Sequence, residues 1–513
     1  MPPKTKLSIA VTFLLTVSLA CTSITEFSGV LFPTAISATP TQRTQQPLGS
    51  PEPTPTFVAP ANPFPGPDGL GDPYFEDLGN GGYDVQHYTL ALSVDLESNE
   101  IMGTATLSVV TTQQLTSLNL EFIGLHIASL RVNGTEALYE RQGAELIIYL
   151  PQPVTANQSL EIEVNYQGTP GEGVDRELLP EYSEGWLYYG DGVMVAGEPT
   201  GASTWYPVNE HPLDKATYTF LINVAEPYEV AANGLLVETN DLGSDLTYVW
   251  EMRDPIAPYL VTLAIGEFDV EESASSSGVA IRNYYGEGVP PDVRDDFVLQ
   301  DEMIDFFETV FGPYPFEAYG VVVHDLDLSF SLETATLTVM GNSFTYEEVV
   351  SHELSHQWFG DSVGLKSWKD IWLNEGFATY ASELWNEHAY GREVLDENLS
   401  SVYEEFALYG SYFENSTVGD PGPEGLFGYP VYYRGALTLH ALRLELGDRA
   451  FFDTLKTYYA RYAHSNVSTE DFIAMAEEVS GSQLDEFFDG WLYQTKLPDI
   501  PQMGLFAADF VEE

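Results

Sequence analysis

The chain has 513 residues, 44% of them hydrophobic, which is more than one ordinary core needs and enough for two or three packed domains. Its 78 Asp and Glu face only 19 Lys and Arg, and a net charge of −59 makes nucleic acid and anionic membrane surfaces poor partners. A single cysteine, Cys21, excludes an internal disulfide framework. At the N-terminus, Lys4 and Lys6 precede LSIAVTFLLTVSLA, about 14 mostly apolar residues where a membrane span needs about 20. Cys21 follows Ser18, Leu19 and Ala20, so residues 1–21 read as an export signal of lipoprotein type, with plain secretion or an uncleaved anchor as alternatives. Lipid on Cys21 is the only membrane attachment expected. Residues 22–74, dense in Pro, Thr, Ser and Gln, read as a semi-extended tether with too few core formers to fold.

From Tyr83 the pattern alternates with period two: HYTLALSVDL, MGTATLSVVTT, SLNLEFIGL, ELIIYL and LEIEVNY, with Asn133-Gly134 as a turn signal. Residues 75–270 therefore read as a β-rich domain, and YLVTLAIGEFDV, from Tyr259 to Val270, as its last strand. Helical VRDDFVLQDEMIDFFETVFG follows, then PFEAYGVVVHDL as a strand and SFSLETATLTVMG as a further extended run.

The stretch SHELSHQWFGDSVGLKSWKDIWLNEGFATY carries the chemistry. His352 and His356 lie four apart with no Pro or Gly before Gly360, so a helix places both rings on one face, which is a metal-ligand spacing. Glu375, in the helical run DIWLNEGFATYASELW, supplies an oxygen as third ligand and leaves a fourth position open for water. Glu353 faces that position and is placed to take the proton from the water. With any of the 78 acids allowed in second place, a chain of this composition is expected to contain such a motif about 0.02 times by chance, so an accidental pair of surface histidines is the weaker explanation. His388, in ELWNEHAYG, reads as a surface residue.

HELSHQWFGDSV followed by WLNEGFATY resembles the zinc-binding segment of the aminopeptidase N and leukotriene hydrolase family, gluzincins whose third ligand is a glutamate. The resemblance extends from about Tyr83 to about Pro498 and includes TWYPVNEHPLDKATYTFLINV. It implies a saddle-like β domain followed by a thermolysin-like catalytic domain, one Zn2+ per chain, and peptide substrates with a free N-terminus. It also implies that Glu198, in Glu198-Pro199-Thr200, reaches from the β domain to the substrate amine. Glu333 matches the amine-binding glutamate of the family's substrate-binding edge strand, although Phe330, Leu332 and Thr334 replace its glycine, methionine and asparagine. Leu332 would flank the first specificity pocket. In VYYRGALTLHALRLELGD, Tyr432 matches the tyrosine that donates to the oxyanion, Tyr433 is its rival under a one-residue slip, and Arg434 stands for the family's lysine.

The expected fold is α+β and multidomain: the β-rich domain at 75–270, a mainly α thermolysin-like catalytic domain at 271–500 and a short tail at 501–513. Helix caps are expected at Ser468-Thr469-Glu470 and Gly481. Many members of the family close the site with a large C-terminal helical domain; here the expectation is a more open cleft without one, able to accept longer peptides. The expected protein is a monomeric, exported zinc aminopeptidase with Glu353 as general base. A zinc endopeptidase, an inactive peptide-binding scaffold and an epoxide hydrolase are the alternatives.

Overall fold

The computed structural model describes residues 60–510, apart from 172–184, 242, 325–327, 329 and 411–416. The expected signal, Cys21 and most of the tether lie outside the described residues. No described helix is long and apolar enough to cross a membrane.

The alternating runs form strands because one side of each can be buried and the other left wet. Tyr83–Asp95 buries Val85, Tyr88, Leu90 and Leu92 and turns the residues between them outward. It pairs antiparallel with Glu100–Thr111 and parallel with Ala216–Ala225. Around this pair an eight-stranded sheet runs in the order Leu235–Asp241, Asp245–Ile256, Ala216–Ala225, Tyr83–Asp95, Glu100–Thr111, Ser159–Gly168, His126–Val132, Thr135–Glu136. Asn133 and Gly134 both take positive φ, 49° and 71°, in the turn joining its last two strands. A second sheet of four strands includes Val193–Ala196, which ends two residues before Glu198 and so fixes where that residue leaves the β domain.

Tyr259–Val270 is not one strand. Pro258 starts a 3-10 turn through Leu260, Leu263–Gly266 pairs within the β domain, and Phe268–Ala274 already belongs to the next domain's sheet. That sheet runs Phe268–Ala274, Ala280–Gly286, Ala318–His324, Thr338–Gly341, with its last two pairings parallel. SFSLETATLTVMG likewise divides into two extended pieces folded on each other: Leu332 and Val339 exchange hydrogen bonds of 2.8 and 2.9 Å across a tight turn at Thr334–Leu337. Residues around Leu332 and Glu333 thus line the outer edge of the sheet.

The helices around the motif are α1 (Gln300–Val310), α2 (Glu347–His356), α3 (Trp372–Tyr390), α4 (Arg392–Tyr409) and α5 (Gly435–Leu446); α2 and α3 carry it, and α5 is preceded by a π-helical turn at Pro430–Arg434. Ser468 and Asp471 form a capping box on the helix Thr469–Ser480, which ends on Gly481 in the left-handed conformation.

One part of the expected tether is structured. Asp72 is 3% exposed, its carboxylate caps the Tyr74 and Phe75 amides, and it also accepts from the Trp368 amide at 2.8 Å. The Tyr74 hydroxyl accepts from the Gly422 amide at 2.9 Å. A few polar anchors therefore order residues 64–74, which their composition assigns to the tether.

Candidate active site

Helix α2 brings His352 and His356 onto one face, and α3 crosses it with Glu375 turned inward. The two Nε2 atoms stand 3.1 Å apart, and Glu375 Oε2 lies 3.2 Å from His352 Nε2 and 3.5 Å from His356 Nε2. Four-coordinate zinc with bonds of about 2.0–2.1 Å sets neighbouring donors about 3.3 Å apart, so this donor triangle already has the dimensions of a metal site. His356 Nδ1 lies 3.1 Å from the Phe359 carbonyl; donating there leaves the Nε2 lone pair free for a metal. Gly360, at φ 133°, permits this approach, because a Cβ there would stand 3.1 Å from His356 Nδ1. Burial works against charge on Glu375, but His356 and His352 outweigh it and hold the carboxyl down at about 2.

Glu353 is 7% exposed and does not join the triangle; its carboxylate groups instead with Glu333 and His356, all within 4.8 Å. Burial pushes its carboxyl well above the usual range, against the pull of His356. Tyr432 lies beside His352, its ring parallel to the imidazole within 15° at a centroid distance of 6.0 Å. Tyr433 turns elsewhere, its ring 4.3 Å from that of Tyr429.

On the side of His356 and Glu375, Glu198, Glu333 and Glu375 offer carboxylate oxygens within 4.8 Å of one another. Glu198 Oε1 and Glu333 Oε1 are buried without a hydrogen-bond partner among the described residues. Burial raises both carboxyls, and their mutual repulsion raises that of Glu198 further. The nearest basic group to Glu333 is the His356 ring, with Nδ1 3.9 Å from Oε1, and a cation entering here would meet carboxylate oxygens that have no hydrogen bond among the described residues. Leu332 is 5% exposed beside Glu333.

Further residues hold the elements of the site in place. Lys215, from the β domain, donates to the carbonyls of Asp361 and Ser362 at 2.9 and 2.8 Å and clamps the loop that follows α2. Arg434 is 6% exposed and donates to the carbonyls of Gly490, Trp491, Gln494, Thr495 and Lys496, tying the π turn to that segment. Gly376 and Gly435 let α3 and the start of α5 touch backbone to backbone, since a Cβ on Gly435 would stand 2.8 Å from Gly376 Cα. A glycine inside each helical run was the available signal.

Residues 84–260 match the peptidase M1 N-terminal domain and residues 299–491 the peptidase family M1 domain. A variant of an M1 zinc metallopeptidase of Deinococcus radiodurans, solved bound to a Tyr-Ser-Ala substrate, superposes with a TM-score of 0.78 at 31% identity, covering 84% of this chain and 99% of that one. The chain belongs to peptidase family M1. Other M1 relatives are a probable aminopeptidase of Sulfurisphaera tokodaii, 26% identical over 75% of this chain, and a leucyl aminopeptidase of Saccharolobus solfataricus, 26% identical over 81%. The glutamyl aminopeptidase of Homo sapiens is 25% identical over 82% of this chain. This chain spans about half the length of those three relatives, namely 50%, 54% and 47%.

Proposed function

We propose that this M1 chain is a zinc-dependent aminopeptidase that hydrolyses the first peptide bond of peptides with a free N-terminus. The observation carrying this reading is the pair of carboxylate oxygens on Glu198 and Glu333, buried with no hydrogen-bond partner among the described residues, beside a donor triangle of metal-binding dimensions. Glu198 and Glu333 would hold the substrate ammonium, fixing the first peptide bond over the triangle and giving a longer upstream chain no favourable path. His352, His356 and Glu375 would hold one zinc ion, which when bound supplies Lewis-acid activation of a water and of the scissile carbonyl. Glu353 accepts the proton of the attacking water and passes it to the leaving amine. Tyr432 donates to the carbonyl oxygen as negative charge grows on it. Leu332 flanks the pocket for the first side chain.

The test is a panel of free-amine aminoacyl amides beside their N-acetylated forms, with chelation and zinc add-back. Cleavage of the free amines alone, lost on chelation and restored by zinc, is expected. Cleavage of the acetylated forms turns the reading to endopeptidase, and none despite bound zinc turns it to a scaffold. We also propose that the chain is exported and lipid-tethered at Cys21, on the strength of its N-terminal sequence. Fatty-acid labelling that is lost in Cys21→Ala tests this, and equal labelling of both forms sinks it.

A further inference from the structure

Gln357 follows His356 at the end of α2 and is completely buried. A buried amide must satisfy its donors and its acceptor, and Gln357 spends both ends on one neighbour, the turn after Glu333. Its Nε2 donates to the Glu333 carbonyl at 3.2 Å, and its Oε1 accepts from the Thr336 amide at 2.9 Å. The Tyr314 hydroxyl also lies 3.1 Å from that oxygen.

The turn needs such restraint. Thr336 sits at φ 64°, a left-handed conformation unfavourable for a β-branched residue, and it persists only where its surroundings hold it. The β domain holds the other side of the turn. Gly234 donates its amide to Thr336 Oγ1 at 2.7 Å, and Asn233 Nδ2 donates to the Ala335 carbonyl at 2.6 Å. Of these restraints, the one that comes from the metal-binding helix is Gln357. It adjoins the ligand His356 in sequence and grips Glu333 by its backbone, leaving the Glu333 carboxylate free.

We propose that Gln357 is a positioning residue for amine recognition: it ties the Glu333 backbone to α2 and so sets the distance between the amine site and the metal triangle. This rests on the aminopeptidase reading above. The expected consequence separates binding from chemistry, because the ligands, Glu353 and Tyr432 do not touch the Gln357 side chain in any hydrogen bond described.

The experiment compares the zinc-loaded full chain with Gln357→Met, similar in volume and without the amide, on an aminoacyl anilide and its N-acetyl form. The variant is expected to bind zinc as the parent does and to raise KM for the free-amine substrate about tenfold, with kcat changed far less. Its preference for the free amine over the acetylated form should shrink in proportion. Gln357→Asn keeps an amide but is one methylene too short to span both partners, and a smaller rise in KM is expected; it carries the test if Gln357→Met does not fold. A folded, zinc-loaded variant with unchanged KM and unchanged preference overturns the proposal. A parent protein indifferent to acetylation overturns the amine-site reading and this proposal with it, whereas a discriminating parent beside an unchanged variant overturns this proposal alone.

Discussion

At the scale of single residues, Glu353 and His356 are neighbours in one motif with separable tasks. Glu353 lies outside the donor triangle, so Glu353→Gln is expected to keep the metal and lose about 10³-fold in kcat, a loss of general-base size, measured by steady-state kinetics beside zinc analysis. His356→Ala removes a donor that sits 3.1 and 3.5 Å from the other two, and is expected to emerge from dialysis without stoichiometric zinc. Retained zinc in that variant would remove His356 from the ligand set. Tyr432→Phe keeps the ring stacked on His352 and deletes only the hydroxyl; kcat is expected to fall about 10²-fold with KM nearly unchanged. The same loss from Tyr433→Phe, with Tyr432→Phe active, would reverse the assignment. These residues were legible for different reasons. Helical periodicity predicts that His352 and His356 converge, whereas Glu375 sits on the next helix and was legible from its place in the same stretch and from the resemblance. Glu198 and Glu333 are distant in sequence and were found only through the resemblance to a family. Gln357 gave no signal, since what it does depends on a turn 24 residues upstream.

At the scale of elements, the site depends on how closely α3 and the π turn approach. Alanine in place of a helical glycine ordinarily gains about 0.5–1 kcal/mol from backbone entropy. At Gly435 the added Cβ would stand 2.8 Å from Gly376 Cα, and overpacking of this kind costs about 1–3 kcal/mol. The clash wins, so Gly435→Ala should lower the melting temperature and also kcat, because the displaced turn carries Tyr432. Gly410, at the end of α4 with φ −54° and, among the described residues, no atom within 4 Å of an added Cβ, is the control, and Gly410→Ala should be neutral or stabilising. Equal responses in calorimetry would mean that the helix contact does not position the turn. The strands of the β domain were legible from period-two alternation. The break within Tyr259–Val270 and the fold-back after Glu333 were not, because both replace strand pairing with contacts made by other segments, such as Asn233 and Gln357.

At the scale of the whole molecule, the decisive quantity is charge. Repulsion among 78 acids opposes the compact state, while surface pairs such as Arg131–Glu163 and Arg461–Glu478 support it. Solvent-exposed pairs contribute little, and 19 basic residues cannot form enough of them to offset the excess. Salt screens both effects, with a Debye length of about 30 Å at 0.01 M and about 3 Å at 1 M. Repulsion acts over the longer range and involves more groups, so its screening dominates, and the melting temperature is expected to rise with NaCl across that interval. The same field acts on substrates before they reach the cleft. Peptides carrying extra Lys or Arg should show a kcat/KM that falls as salt is added, and peptides rich in Asp or Glu one that rises. Paired salt series on peptides that differ only in residues remote from the first peptide bond isolate this long-range term from the local recognition of the amine. Parallel salt dependence for the two peptides would show that the net charge serves solubility alone, with no part in gathering substrate.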